Sequence, residues 1–418
     1  MTQLHSRDHL SANLLLDPEV IEHPHAFHRC LVDTAPVWRV PGTEIVVVSS
    51  FAAVSEAVQR VDDFSSNMRA IVYSNDRHLP ELLPFDAGDA DTLATADPPV
   101  HTIHRRAVFP ELVARRMSSL RPDVEQLAAE HVCLTLGRSR VEVMGGIANV
   151  IPIRVVSKLI GFRNEDPDQL LAAALAATEM LAAARPLSDV MAAMERTSEV
   201  FMWIAEQLQK AIDEGGGEGI LQAIGTAVGR NELDVDAGIV IMHTLLSAAG
   251  ESTTSLLGNA IHLLAHHREL QDRLRVEPDL VTPFIEEVVR LESPFQYHLR
   301  HVARDTELHG VTVPAGATML LFWGAANRDP AVYDRPDEVV LDRSAPRHHV
   351  GFGRGIHLCV GAPLARLEAE VVLRRLLDHT GAFTLDPNDP PVRVSSLMVR
   401  RFSSLPLIAS LKAPDRSG

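Results

Sequence analysis

The sequence predicts a mainly helical α+β protein, a large helical body carrying a small β-rich lobe. Three observations predict it. Alanine-rich stretches of helix formers, such as Leu170–Ala184, recur, and these residues lose little side-chain freedom in a helix. Val235–His267 is an unusually long periodic apolar stretch, long enough for one central helix to cross the molecule. In the last third, short strands at Gly310–Pro314 and Thr318–Phe322 alternate with Pro-rich coil from Asn327 to His349. A chain of 418 residues can bury a large core. No linker or internal repeat divides it, so residues 1–418 are expected to form one domain.

Taken in order, Val37–Arg39 and Glu44–Val48 flank Pro41-Gly42 and read as a hairpin. Phe51–Arg60 reads as a helix. Asn67–Thr95 mixes Asp, Pro and Gly and is expected to be an irregular loop. Asp97-Pro98-Pro99 marks a helix start, since proline fits the first helical position. From there to about Arg268 the pattern is helical, broken once at Gly215-Gly216-Gly217. The central helix carries a polar insertion, Gly250-Glu251-Ser252-Thr253-Thr254, which is costly inside a core unless paired or used. A Gly-rich loop and a helix over Val360–Leu377 close the pattern.

Composition excludes several classes. The net charge of −16 disfavours nucleic acid as a partner. The 3 cysteines, Cys30, Cys133 and Cys359, form no C-x-x-C pair, which removes support for zinc ribbons, thioredoxin-like motifs and covalent c-type haem. Their odd, small number fits a reducing cytoplasm. The N-terminus lacks a signal-peptide pattern. No run approaches the ~20 apolar residues that span a bilayer. A soluble cytoplasmic protein is expected. Lysine occurs only at Lys158, Lys210 and Lys412, a bias that hints at a GC-rich genome.

The strongest local signal is Phe352-Gly353-Arg354-Gly355-Ile356-His357-Leu358-Cys359-Val360-Gly361. It holds a cysteine on a tight glycine loop just ahead of a helix. Free N–H groups and the positive helix end favour a thiolate there, lowering the thiol pKa. Glycines allow a flat, bulky ligand to come close. A lone cysteine beside an apolar helix is more often inert and buried; its neighbours reverse that weighting. Phe352, Gly355, His357, Cys359 and Gly361 fill every specified position of F-x-x-G-x-[HR]-x-C-x-G. The segment resembles the haem-binding loop of the cytochrome P-450 superfamily, in its soluble bacterial, actinobacterial form. That resemblance implies that the Cys359 sulfur ligates a haem b iron, that Phe352 packs on the haem beside Gly353, and that His357 hydrogen-bonds a propionate.

Further motifs follow in the family's order. Glu287 and Arg290 stand at i and i+3 on one helical face. Alone that pattern marks only a surface pair, but Phe284–Arg290 resembles the family's K-helix E-x-x-R. The resemblance implies a buried triad of Glu287, Arg290 and Arg343 that maintains the fold. His101 and Arg105 stand at i and i+4, similar to the family's H-x-x-x-R. Arg300 matches its propionate-binding arginine. With His357 these make four implied clamps; each alone would pass for a solvated side chain. Ala248-Ala249-Gly250-Glu251-Ser252-Thr253-Thr254 is similar to A-G-x-[DE]-T-T, whose acid and alcohol deliver protons during oxygen activation. Counting back from Asn259 puts Glu251 in the acid position, Ser252 in the alcohol position and Thr253 next. Ala249 then stands where Gly is usual and Ser252 where Thr is usual. A slip of one residue would make Thr253 the alcohol.

The resemblance implies the P-450 fold, a helical prism with a small β-rich lobe. It also implies a monooxygenase that inserts one oxygen of O2, with electrons from NAD(P)H passed by separate redox proteins, a ferredoxin and its reductase. Arg106, Arg115, Arg116, Arg347 and Arg354 are expected to form a basic docking patch. By family position, the substrate pocket falls on Asn67–Leu93, part of Leu170–Trp203, the Leu245–Thr253 face with Ala248 and Ala249, Phe295, Gln296, Tyr297 and His298, and Leu397 and Met398. A small hydrophobic substrate is expected. The alternatives are a peroxide-driven haem peroxygenase of the same fold and a non-catalytic haem sensor or carrier.

Overall fold

The computed structural model describes residues 9–85, 93–112, 118–138, 140–163, 166–215 and 219–412. Strands β1 (Val37–Arg39) and β2 (Ile45–Val48) form the expected hairpin. With β3 (Phe64–Ser65), β6 (Tyr297–Val302) and β7 (Thr318–Phe322) they make a five-stranded sheet. Its inner strand β7 runs parallel to β2 and antiparallel to β6, setting Leu321 opposite His298 and Met319 opposite Arg300.

The segment expected to be an irregular loop instead holds a hairpin, β4 (Ala70–Ser74) and β5 (Pro80–Pro84), paired antiparallel. Ile71-Val72-Tyr73 supplies β-branched and aromatic residues, and the Asn75 side chain accepts N–H groups from Arg77 and Leu79 to close the turn. The Ser74 N–H donates to Arg185 O at 2.9 Å. That links the hairpin to the connection between α4 (Pro167–Glu179) and α5 (Leu187–Glu214). The same connection receives a bond from Leu397 N–H to Ala182 O, 2.9 Å, and one from the Tyr297 hydroxyl to Leu181 O, 2.9 Å.

The other main helices are α1 (Val100–Val108), α2 (Arg121–Leu136), α3 (Val150–Ile160), α6 (Val235–His266), α7 (Val281–Leu291) and α8 (Ala362–His379). Asp234 starts the 32-residue α6, its carboxylate accepting the Asp236 N–H. Helix α6 runs through the largest apolar cluster, packed by Ile151 and Ile153 of α3, Val288 of α7 and Leu373 of α8. Gly250 allows this closeness, because a Cβ there would meet the Ala174 methyl at 2.9 Å. A second cluster joins the N-terminal helices to the sheet and to Leu397 and Met398. No helix among the described residues is long and apolar enough to cross a membrane.

Candidate active site

Between α6, the Phe352–Gly361 loop and the start of α8 lies a cavity of about 1370 Å3, mouth included. Its floor is Phe352, Gly353, Cys359, Gly361, Leu364 and Ala365. Its opposite wall is Leu245, Ala248, Ala249, Ser252, Thr253 and Leu256 of α6. Gly353 and Gly355 take φ of +71° and +73°, left-handed turns that a side chain would strain. The Cys359 N–H closes the loop on Phe352 O at 2.9 Å.

Cys359 has accessible surface, but it opens into the cavity and not outward. Burial therefore pushes the thiol pKa up, against the pull of the Gly361 and Ala362 N–H groups, Arg366 and Arg105. The sequence expectation of a lowered pKa is corrected here: desolvation outweighs the helix end. A metal cation on the sulfur would reverse that balance. Among the described residues no cluster of three His, Cys, Asp or Glu side chains could hold a bare ion. A lone sulfur suits a metal that brings its own ring of donors.

A cationic rim lies along one side of the cavity. Arg300 is buried and, among the described residues, forms no ion pair and bonds only to Leu299 O at 2.7 Å. Burial pulls its guanidinium down to about 10. Arg105 donates to Ile356 O at 3.0 Å and Leu358 O at 3.1 Å, again without a carboxylate. The His101 and His357 rings lie 4.3 Å apart, and the Nε2 atom of each is enclosed with no partner. Burial holds both imidazoles below their ordinary pKa, His357 at about 3. Two unpaired guanidiniums and two orphaned ring nitrogens are what a pair of ligand carboxylates would satisfy. With the sulfur and the glycine floor, these residues fit haem.

On α6, Glu251 is 1% exposed and is not on the cavity wall. Its carboxylate accepts Arg401 Nε at 2.7 Å, the Thr178 hydroxyl at 2.8 Å and the Ser255 hydroxyl at 3.3 Å. Burial still wins, and the Glu251 pKa is raised. Ser252 lines the cavity and its hydroxyl donates to Ala248 O at 2.6 Å. Thr253 also lines the cavity, while the Thr254 hydroxyl turns away to Ala148 O at 2.8 Å.

Beneath the loop, Glu287 is bound by Arg290 Nε at 2.7 Å and Nη2 at 2.9 Å, Arg343 Nε at 3.0 Å and the Val340 N–H at 2.8 Å. Burial would raise its pKa, but these bonds lower it. The neighbouring Glu286 accepts Arg366 Nε at 2.6 Å and His349 Nε2 at 2.9 Å. Against burial, they hold it down at about 2. The Arg366 guanidinium carbon sits 4.4 Å from the Phe352 ring centroid.

Several expected pocket residues are elsewhere. Gln296 donates to Ser293 O at 2.5 Å, and Tyr297 packs with Leu397 and Met398 in the second cluster; none of the four reaches the main cavity. No residue of Leu170–Trp203 does so either, while Leu93, Ala94, Phe295 and His298 do. Sequence reasoning missed Arg401, Thr178, His349, Arg366 and Trp323. Only Arg366 carried a local signal, on the face of a helix that starts at the thiolate loop. Arg115 and Arg116 lie outside the described residues.

A family model described as Cytochrome P450 matches residues 188–402. Cytochrome P450 144 of Mycobacterium tuberculosis is 37% identical over 398 residues, spanning 95% of this chain and 91% of that protein. The beta-dihydromenaquinone-9 omega-hydroxylase of the same species is 28% identical over 395 residues, spanning 93% and 76%. Among solved structures, cytochrome P450 CYP109Q5 from Chondromyces apiculatus matches with a TM-score of 0.82 at 28% identity, covering 96% and 98% of the two chains.

Proposed function

The chain belongs to the cytochrome P450 family of haem-thiolate monooxygenases, and from that premise we propose that it oxygenates a small hydrophobic molecule with electrons from NAD(P)H, relayed by a ferredoxin and its reductase. One observation carries the reading: a single apolar cavity brings the Cys359 sulfur opposite the hydroxyls of Ser252 and Thr253. When bound, the haem supplies the oxygen chemistry. The chain's own residues do the rest. Cys359 would hold the iron, and His101, Arg105, Arg300 and His357 would hold the two carboxylates. Phe352, Gly353 and Gly361 would form the floor beneath the ring.

Glu251 is the acid of the pair, its pKa pushed up by burial against the pull of Arg401. Ser252 is the alcohol of the pair, its hydroxyl fixed on the cavity wall by the bond to the Ala248 carbonyl. Thr253 is the second hydroxyl facing the same space. Glu287, Arg290 and Arg343 clamp the chain behind the loop and take no part in the reaction. Leu245, Ala248, Ala249, Leu256 and Phe295 exclude water and select apolar molecules.

Arg106, Arg347 and Arg354 are exposed and would steer an acidic ferredoxin toward the loop. That electron supply fits a cytoplasmic setting, and the lack of a linker or repeat fits a chain acting as one domain. The test is direct. Reduced protein under CO is expected to show the red-shifted Soret band of thiolate-bound haem, absent from Cys359→Ala. Substrate oxidation with ferredoxin, reductase and NADPH is expected; turnover with H2O2 alone would replace this reading with a peroxygenase. Oxygen consumption absent under every condition would favour a haem sensor.

A further inference from the structure

His298 lies on β6 two residues before Arg300, so both side chains leave the same face of the strand. Both reach the cavity wall. The Trp323 indole N–H donates to His298 Nδ1 at 2.6 Å. Indole is a donor only, so Nδ1 must offer its lone pair. That excludes the imidazolium and places the one ring proton on Nε2. Burial, with Arg300 adding to it, holds the imidazole down to about 4, in agreement. Among the described residues, His357 of the thiolate loop also faces this ring, and Cys359, Arg105 and Arg354 line the same cavity. Among the described residues His298 makes no hydrogen bond besides the one to Trp323, and its Nε2 is not among the enclosed unpaired atoms. The Nε2–H therefore points into open cavity. Phe295 packs edge-on to the ring at 5.3 Å, and the facing α6 wall is apolar at Leu245, Ala248 and Ala249.

We propose that His298, locked by Trp323, is a specificity-determining donor that selects substrates bearing an acceptor oxygen (ketone, ester or ether) on an apolar body. The proposal rests on the reading of this cavity as a substrate site. The haem carboxylates already have donors in Arg105, Arg300, His101 and His357, which leaves the His298 proton unclaimed. In this largely apolar cavity an uncharged acceptor avoids the desolvation cost that a carboxylate would incur, so the site favours uncharged oxygens. Because Trp323 prevents the ring from turning acceptor, an amine or amide N–H at the same place would meet hydrogen against hydrogen.

The test uses ferric holoprotein and matched probes, adamantane with 2-adamantanone and cyclododecane with cyclododecanone, read by the Soret shift. Each ketone is expected to bind about 3- to 10-fold tighter than its hydrocarbon, the range of one net hydrogen bond. The advantage should vanish in His298→Phe and partly return in His298→Gln. In Trp323→Phe the ring can take either tautomer, so the advantage should shrink at neutral pH and recover only as pH falls toward about 4, where the imidazolium donates. An advantage that survives His298→Phe overturns the proposal. So does faster haem loss to apomyoglobin in His298→Phe, which would assign the donor to haem. No shift with any probe sinks the substrate reading instead. The lock is still judged then by 15N resonances of the ferrous CO form, where a protonated His298 Nδ1 refutes it.

Discussion

Glu287 and Glu251 are both 1% exposed and both paired with arginine, yet their pKa values move in opposite directions. The difference lies in the donors. Glu287 gathers two guanidiniums and a backbone N–H, enough to outweigh desolvation. Glu251 has one guanidinium and two hydroxyls, and desolvation prevails. Below the thiolate loop the protein fixes an anion as structure. Beside the cavity it holds a carboxyl whose pKa burial pushes up. Burial alone does not distinguish a structural acid from a chemical one; the number of charge-assisted bonds does.

The strongest way to break this contrast is Glu287→Gln. It strands two arginines and is expected to cost about 3–5 kcal/mol in urea unfolding of the holoprotein. A loss no larger than that of Glu251→Gln would erase the distinction. Next comes the acid limb of stability. Glu286 falls from 4.5 to about 2 in the folded state, so its contribution is complete above its unfolded pKa and disappears as pH falls from about 4.5 to about 2. The amount is about 3 kcal/mol, and Glu286→Gln should flatten that limb in denaturation curves between pH 2 and 5. Glu251 has the reverse sign. Its raised pKa subtracts stability as pH climbs past its unfolded value, so Glu251→Gln should leave the acid limb in place.

Chemically, Glu251→Gln should reduce coupled product formation by about 100-fold, with the lost reducing equivalents appearing as peroxide. Arg401→Gln should raise the Glu251 pKa further and move the alkaline limb of the coupling–pH profile upward. An unmoved limb would remove Glu251 as the titrating group. The smallest effect separates the hydroxyls. Ser252→Ala should lower coupling by about 10-fold, while Thr253→Val changes it less. The opposite order would exchange their roles.

Much of this was readable where chemistry is contiguous in the chain. The thiolate loop spans Phe352–Gly361, and Glu287 with Arg290 obeys helical spacing. The hairpin at Ala70–Pro84 was not, because Pro, Asp and Gly around it masked a short strand pair. Family position puts Tyr297 in the pocket, but strand alternation turns it away from His298, a signal present in the sequence. Arg401 left no trace, since it meets Glu251 from 150 residues away through tertiary packing. Trp323, in the helical turn directly after β7, meets His298 of the paired strand β6 the same way.

The link from the Ser74 amide to the Arg185 carbonyl uses main-chain atoms alone. Side chains on either segment can drift through evolution without loosening that latch, so the outer surface there is free to diversify. Proline at position 74 is the exception, because it deletes the amide hydrogen.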